Sequence, residues 1–173
     1  MRLGVPYQGS KNTIVREIVS ILPRGKRFVD LFAGGCAVTH AAILSGKYET
    51  FLANDLNGVG VRLFKDAIAG KCDGRWRDWV SREEFLSHKD VDPLISLCWS
   101  FSNNGRDYLY GKDIEGKKKE LHLACVSSGC SIKQIVKGSG FSAIEGITRV
   151  QALERSMPTL NRQGITRFRT RAS

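Results

Sequence analysis

Apolar positions at helical spacing open the chain. Ile14, Val15, Ile18, Val19, Ile21 and Leu22 share one face of a helix predicted over residues 12–22, and Pro23-Arg24-Gly25 stops it. Lys26 to Phe32 then reads as a short strand, with Phe28 and Val29 leading to Asp30. Gly34-Gly35 makes a tight turn, and Ala37 to Ser45 is a compact apolar helix ended by Gly46. Glu49 to Asn54 is a second strand closing on Asp55, and a third helix runs from about Val59 to Ala69 and ends at Gly70. Strand, helix and strand in this order predict a right-handed βαβ unit and a parallel sheet.

Beyond Gly74 the pattern changes. Trp76 and Trp79 stand among charges, and Ser81-Arg82-Glu83-Glu84 has the spacing of a capping box that begins a short helix. Leu94 to Phe101 is apolar and fits strand or helix equally, while Ser102-Asn103-Asn104-Gly105 is a turn signal. Lys112 to Leu123, with Lys117-Lys118-Lys119, reads as an exposed helix, and Gly146 to Arg155 as one more. Ser127 to Gly140 is rich in Gly and Ser, and Asn161 to Ser173 is basic with little to bury. The expected organisation is a sheet-bearing lobe over 1–75, a mostly helical segment over 76–155 and a basic flexible tail over 156–173.

Charge narrows the partners. The 173 residues carry 27 Lys+Arg against 17 Asp+Glu, a net +10. That excess suits a polyanion, nucleic acid before membrane, although it also serves solubility alone. No apolar run approaches the ~20 residues that span a bilayer, and the first residues have no secretory h-region, so a cytoplasmic protein is expected. The five cysteines are scattered without a Cys-x-x-Cys pair, which suggests buried thiols and no metal site.

Candidate chemistry sits at the strand ends. The turn Asp30-Leu31-Phe32-Ala33-Gly34-Gly35-Cys36-Ala37 lets the backbone approach a ligand, and the following helix offers free N–H groups to an anion. The Gly-x-Gly-x-x-Gly pattern of dinucleotide sites is absent. Asp55, closing the second strand, is placed to hold two ribose hydroxyls. Turn and acid together point to a nucleoside-type ligand.

Pro6-Tyr7-Gln8-Gly9-Ser10-Lys11, Phe28-Val29-Asp30-Leu31-Phe32-Ala33-Gly34-Gly35 and Asn54-Asp55-Leu56-Asn57 resemble, in order and spacing, the opening motifs of Dam-type DNA adenine-N6 methyltransferases. The resemblance implies S-adenosylmethionine (SAM) as cofactor and a Rossmann-like α/β methyltransferase sheet, here partial. It implies cofactor-binding roles for Tyr7, Gly9, Lys11, Asp30, Phe32, Gly34, Gly35 and Asp55. Trp99 to Gly111 resembles the opening of the family's target-recognition region, which implies double-stranded DNA as partner, contacted by Asn103, Asn104, Arg106 and Tyr108. The same stretch also reads as a hairpin whose aromatics cover a core. The activity implied is metal-free attack of adenine N6 on the sulfonium methyl, in restriction protection, phage DNA modification or regulation.

One motif of the family has no counterpart. Its Asp-Pro-Pro-Tyr type loop needs adjacent prolines, and the four here, Pro6, Pro23, Pro93 and Pro158, are all apart. Asp92-Pro93-Leu94 lacks the second proline and the aromatic, and precedes the recognition segment. No catalytic residue is therefore assigned. In the family's sheet the strand bearing that loop pairs beside the first strand, so the edge of Lys26 to Phe32 is expected to lie open. The expectation is a truncated or split methyltransferase, inactive alone and completed by a separate C-terminal fragment. The alternative is a non-catalytic remnant that binds SAM or DNA.

Overall fold

The computed structural model describes residues 2–128 and 168–170, without the side chains of Trp76, Ser127, Ser128 and 168–170. These residues fall into two compact units, one of the residues up to Asp73 with 168–170, the other beginning at Gly74. The first unit is mixed α/β. Its elements are α1 (Val15–Ile21), β1 (Gly25–Asp30), α2 (Ala37–Leu44), β2 (Tyr48–Ala53), α3 (Val59–Ile68) and β3 (Phe168–Thr170).

β1 and β2 run parallel, with Phe28 opposite Phe51 and Asp30 opposite Ala53. β3 pairs parallel on the far side of β2, giving the order β1-β2-β3. Part of the stretch read as a flexible tail thus forms a strand. Among the described residues no strand covers the other edge of β1, and Val29 on that strand is exposed. The inner face of the sheet is aromatic: Phe28 lies 5.1 Å from the Tyr48 ring and 6.4 Å from that of Phe51.

The helices follow their apolar spacing with one exception. In α3, Val59, Leu63, Phe64 and Ala67 are buried while Arg62 and Lys65 face water. In α1 only Val15 and Val19 are buried, and Ile14 and Ile21 are exposed. The helix is short, so its buried stripe is a single i, i+4 pair. Lys47 closes its end, its ammonium donating to the carbonyls of Val19 at 2.7 Å and Leu22 at 2.8 Å. Those carbonyls lack intrahelical partners, and a cation is the group best suited to them.

The second unit holds α4 (Arg82–His88), α5 (Pro93–Cys98) and α6 (Glu115–Ser128), with single 3-10 turns at Arg75–Arg77 and Phe101–Asn103. Ser81 caps α4, its Oγ accepting from the Glu84 N–H at 3.2 Å. The apolar run that fitted either state is helical up to Cys98, then extends into a bridge between Ser100 and Tyr108. Asp92 and Pro93 have a structural task there. The Asp92 carboxylate accepts from the N–H groups of Leu94 and Ile95, pairs with Arg75, and Pro93 occupies the first helical position. α6 corrects the expectation of an exposed helix: Lys118, His122 and Cys125 are buried on one face. Spacing overrides composition here, because positions four and seven apart share a face whatever their charge. Cys36, Cys72, Cys98 and Cys125 are all buried. The helix expected over 146–155 lies outside the described residues.

Candidate functional site

The site of the first unit is built where two strand ends meet two loops. The parallel ladder runs on past β1 and β2, the Asn54 N–H donating to Asp30 O at 2.8 Å and the Ala33 N–H to Asn54 O at 2.9 Å. This places the glycine turn against the segment after β2. The Gly34 N–H donates to Asp55 Oδ2 at 2.8 Å and the Asn57 N–H to Asp55 Oδ1 at 3.0 Å. Each oxygen of an ionised carboxylate has two acceptor sites, so Asp55 keeps one free on each. Asp30 accepts from Thr39 Oγ1 of α2 at 2.7 Å, which fixes its rotamer.

Above the turn lies the N-terminal strap of residues 3–7. The Val5 N–H donates to Gly35 O at 2.8 Å. The Tyr7 ring then rests on glycine backbone from two elements. A Cβ on Gly34 would come within 3.0 Å of Tyr7 Cε1, and one on Gly35 within 2.6 Å of Tyr7 Cβ. One on Gly60 of α3 would lie 3.3 Å from Tyr7 Cδ2 and 2.2 Å from Gly34 O. Asp55 and burial shape the charges nearby. The Tyr7 phenol is raised above its ordinary pKa, by burial first and by Asp55 second. The Cys36 thiol is pushed far up by burial, then by Asp30 and Asp55. Two carboxylates therefore act on one small region of an otherwise basic chain.

The structure brings Tyr7, Gly34, Gly35 and Asp55 together, with Asp30 beside them. It does not bring in the others. Lys11 is exposed, its ammonium donating to Gly9 O at 3.1 Å within its own loop, and Phe32 is 89% exposed. The start of α2, expected to face a ligand, is met by the strap instead: a Cβ on Gly4 would lie 2.7 Å from Ala37 N. Three contributors were missed from sequence. Asn12 clamps the strap, its Oδ1 accepting from the Leu3 N–H at 2.7 Å and its Nδ2 donating to Leu3 O at 2.9 Å. His40 holds Gly4, and Gly60 admits the Tyr7 ring. Only His40 left a trace, as the one ring nitrogen in an apolar helix.

In the second unit the candidate contact residues divide. Asn103 is buried, Nδ2 donating to Leu97 O at 2.7 Å, and buried Tyr108 donates its hydroxyl to Val80 O at 2.6 Å. Burial raises the Tyr108 phenol further, with Glu115 the next cause. The Arg82 guanidinium lies 4.8 Å over that ring and pairs with Glu115 at 3.2 Å. Asn104 shapes the turn, its Oδ1 accepting from the Arg106 N–H at 2.8 Å. The Arg106 side chain is exposed. Beneath them Trp79 stacks on Tyr110 at 5.6 Å with planes 3° apart, and Trp99 meets Trp79 edge-on at 5.1 Å. Aromatics covering a core, one of the two readings of this stretch, describes Tyr108.

Among the described residues no cluster of His, Cys, Asp or Glu could hold a metal ion, and no helix is long and apolar enough to cross a membrane. A glycine turn at one strand end, a carboxylate after the next and an aromatic strap above them make up the candidate site of this mixed α/β unit. Residues 7–120, more than half of the chain, match the D12 class of N6 adenine-specific DNA methyltransferases, and the chain belongs to that family. It is similar to the Retron Ec67 DNA adenine methylase of Escherichia coli, 36% identical over 80 residues. That stretch covers 46% of this chain and 25% of the relative.

Proposed function

We propose that this chain forms the cofactor-holding part, and some of the DNA-contacting part, of a SAM-dependent DNA adenine-N6 methyltransferase. The observation that carries this is the convergence of Tyr7, Gly34, Gly35 and Asp55 at two parallel strand ends. The donor set fits SAM. Asp55 retains free lone pairs for ribose hydroxyls, and Asp30 and Asp55 give a basic chain a locally negative site for a ligand with ammonium and sulfonium charges. When bound, SAM supplies an electrophilic methyl group. Tyr7 covers the turn from above and limits water there. Arg106 and Asn104 are the groups of the recognition segment we assign to DNA, Arg106 to phosphate or base and Asn104 as the shaper of its turn. The remaining strands of a Rossmann-like sheet and the Pro-Pro loop would be supplied by sequence outside these 173 residues, beside the edge of β1 that no described strand covers.

Two measurements test this reading. Asp55→Ala should weaken SAM at least about tenfold in calorimetry, since each charge-assisted hydrogen bond lost is worth roughly 1.5–3 kcal/mol. Equal affinity would remove Asp55 from the site, and no binding by the wild type would remove SAM. In tritiated methyl transfer to adenine-containing duplexes, the 173-residue chain alone should show no turnover and a C-terminal fragment should restore it. Turnover by the chain alone would show an acceptor group within it.

A further inference from the structure

We propose that His40 is the positioning residue of this site, its Nδ1 holding the N-terminal strap so that Tyr7 lies over the Gly34-Gly35 turn. The proposal rests on the cofactor reading above for what the strap covers. His40 is completely buried in α2, between Thr39 and Ala41, with its ring 5.5 Å from that of Phe64. Its Nδ1 accepts the Gly4 N–H at 2.9 Å, across 36 residues of sequence. That bond requires a bare Nδ1 and puts the proton on Nε2. Nε2 is buried and has no hydrogen-bond partner among the described residues. A buried donor without a partner destabilises the fold, and an apolar side chain of similar size would avoid the cost. The imidazole is therefore explained by what Nδ1 does rather than by packing. Burial also lowers the pKa of the ring to about 4, which keeps Nδ1 an acceptor at neutral pH.

The consequence reaches the site through consecutive residues. Leu3 is held by Asn12, Gly4 by His40 and Val5 by Gly35 O. Gly4 has φ +72° and lies so close to the turn that a Cβ would meet Gly35 O at 2.1 Å. Two residues after Val5 comes the Tyr7 ring, packed on Gly34, Gly35 and Gly60. Of the three anchors, only His40 lies on the helix that follows the glycine turn. It therefore adds, to the bond between Val5 and the turn, a second tie from the strap to α2, and losing it loosens the strap at Gly4 while leaving Asp55 bonded to Gly34.

The test separates position from mere stability. The ¹⁵N spectrum of the wild-type imidazole should show the Nε2–H tautomer, and the Nδ1–H tautomer would overturn the proposal without any variant. His40→Phe keeps an aromatic ring, larger than the imidazole, and removes the acceptor. It should speed amide exchange at Gly4 at least about tenfold and weaken SAM about fivefold or more. His40→Asn, whose Oδ1 can take the place of Nδ1, should recover most of both. Unchanged exchange at Gly4 in His40→Phe, or equal losses in the Phe and Asn variants, would reduce His40 to a packing residue. If the wild type binds no SAM, the cofactor reading fails, and the tautomer and Gly4 exchange still decide the role of His40.

Discussion

The glycine turn of the first unit and the aromatic turn of the second use polar residues in opposite ways. Around Gly34 the polar side chains are half-buried and only partly engaged: Asp55 receives two backbone N–H groups and keeps capacity for more. Around Asn103 the polar atoms are consumed by the fold, the Asn103 amide on Leu97 O and the Tyr108 hydroxyl on Val80 O. Both stretches look alike in sequence, a short motif of Gly, Asn, Asp and aromatics beside a turn. What separates them is the source of the partners. In the first, backbone N–H groups orient a carboxylate from one side. In the second, buried carbonyls left over at the end of α5 and before α4 claim the nearest donors, because a buried acceptor without one is costly.

The largest effect that tests this contrast is the response to acid. His40 is buried neutral, lowered to about 4 from an ordinary 6.5 by burial, with the uncharged Cys36 thiol one turn away. Between those values the unfolded chain binds a proton that the folded chain does not. The stability this confers is fully present above pH 6.5 and is lost as pH falls through about 4, on the order of 3 kcal/mol. Urea unfolding at pH 7, 5 and 4 should show this loss in wild type, and His40→Phe should lack that share of it. Parallel profiles for the two proteins would mean that His40 is protonated without penalty, and that the first unit is looser at the strap than its geometry implies.

Gly60→Ala comes next. Helix propensity alone predicts that Ala in α3 stabilises by about 1 kcal/mol. The close approach of Gly34 O, 2.2 Å from where the Cβ would stand, predicts the opposite. Overpacking typically costs about 1–3 kcal/mol, and here it would displace the turn that donates to Asp55. Denaturant midpoints should therefore fall and SAM affinity with them. A rise in midpoint would show that turn and helix can separate freely.

The helical unit gives a smaller, paired effect. Tyr108→Phe leaves Val80 O without its donor and should cost about 1–2 kcal/mol of stability with no change in DNA affinity. Arg106→Ala should do the reverse, with stability within about 0.5 kcal/mol of wild type and the salt slope of DNA binding reduced by about one. Loss of DNA affinity in folded Tyr108→Phe would place that ring at the interface and erase the contrast between the two turns.

Local rules made much of the first unit legible. β1, α2, β2 and α3 follow from apolar period and from glycine and proline stops, all signals within a dozen residues. The place of Asp55 just beyond β2 was legible because it follows from where the strand ends. His40, Asn12 and Gly60 were not, since each acts on a partner far along the chain, Gly4, Leu3 and Gly34. A buried histidine and a surface one have the same spelling. Lys118 was misread for a related reason: three adjacent lysines suggest solvent, yet the helix turns the middle one inward. β3 was illegible because Phe168-Arg169-Thr170 finds its partner in β2, over a hundred residues earlier.

The smallest effect concerns Cys36, and it isolates backbone from burial. Cys36 precedes α2 with φ 59° and ψ 27°, a left-handed conformation that disfavours any side chain. Glycine there relieves roughly 1–2 kcal/mol. It also removes a buried thiol and its methylene, worth about 1 kcal/mol, and loosens the unfolded chain by roughly 0.5–1 kcal/mol. Cys36→Gly should thus leave stability within about 1 kcal/mol of wild type. The control is Cys125→Gly in the helical unit, where a buried thiol is lost from the regular backbone of α6. No strain is relieved there, and the helix penalty of about 1 kcal/mol adds to the lost burial, for about 2 kcal/mol in all. Urea unfolding of both variants reads the difference directly. Equal losses would mean that the turn before α2 carries no strain, and that the left-handed step from Gly35 into the helix is set by packing of the thiol instead.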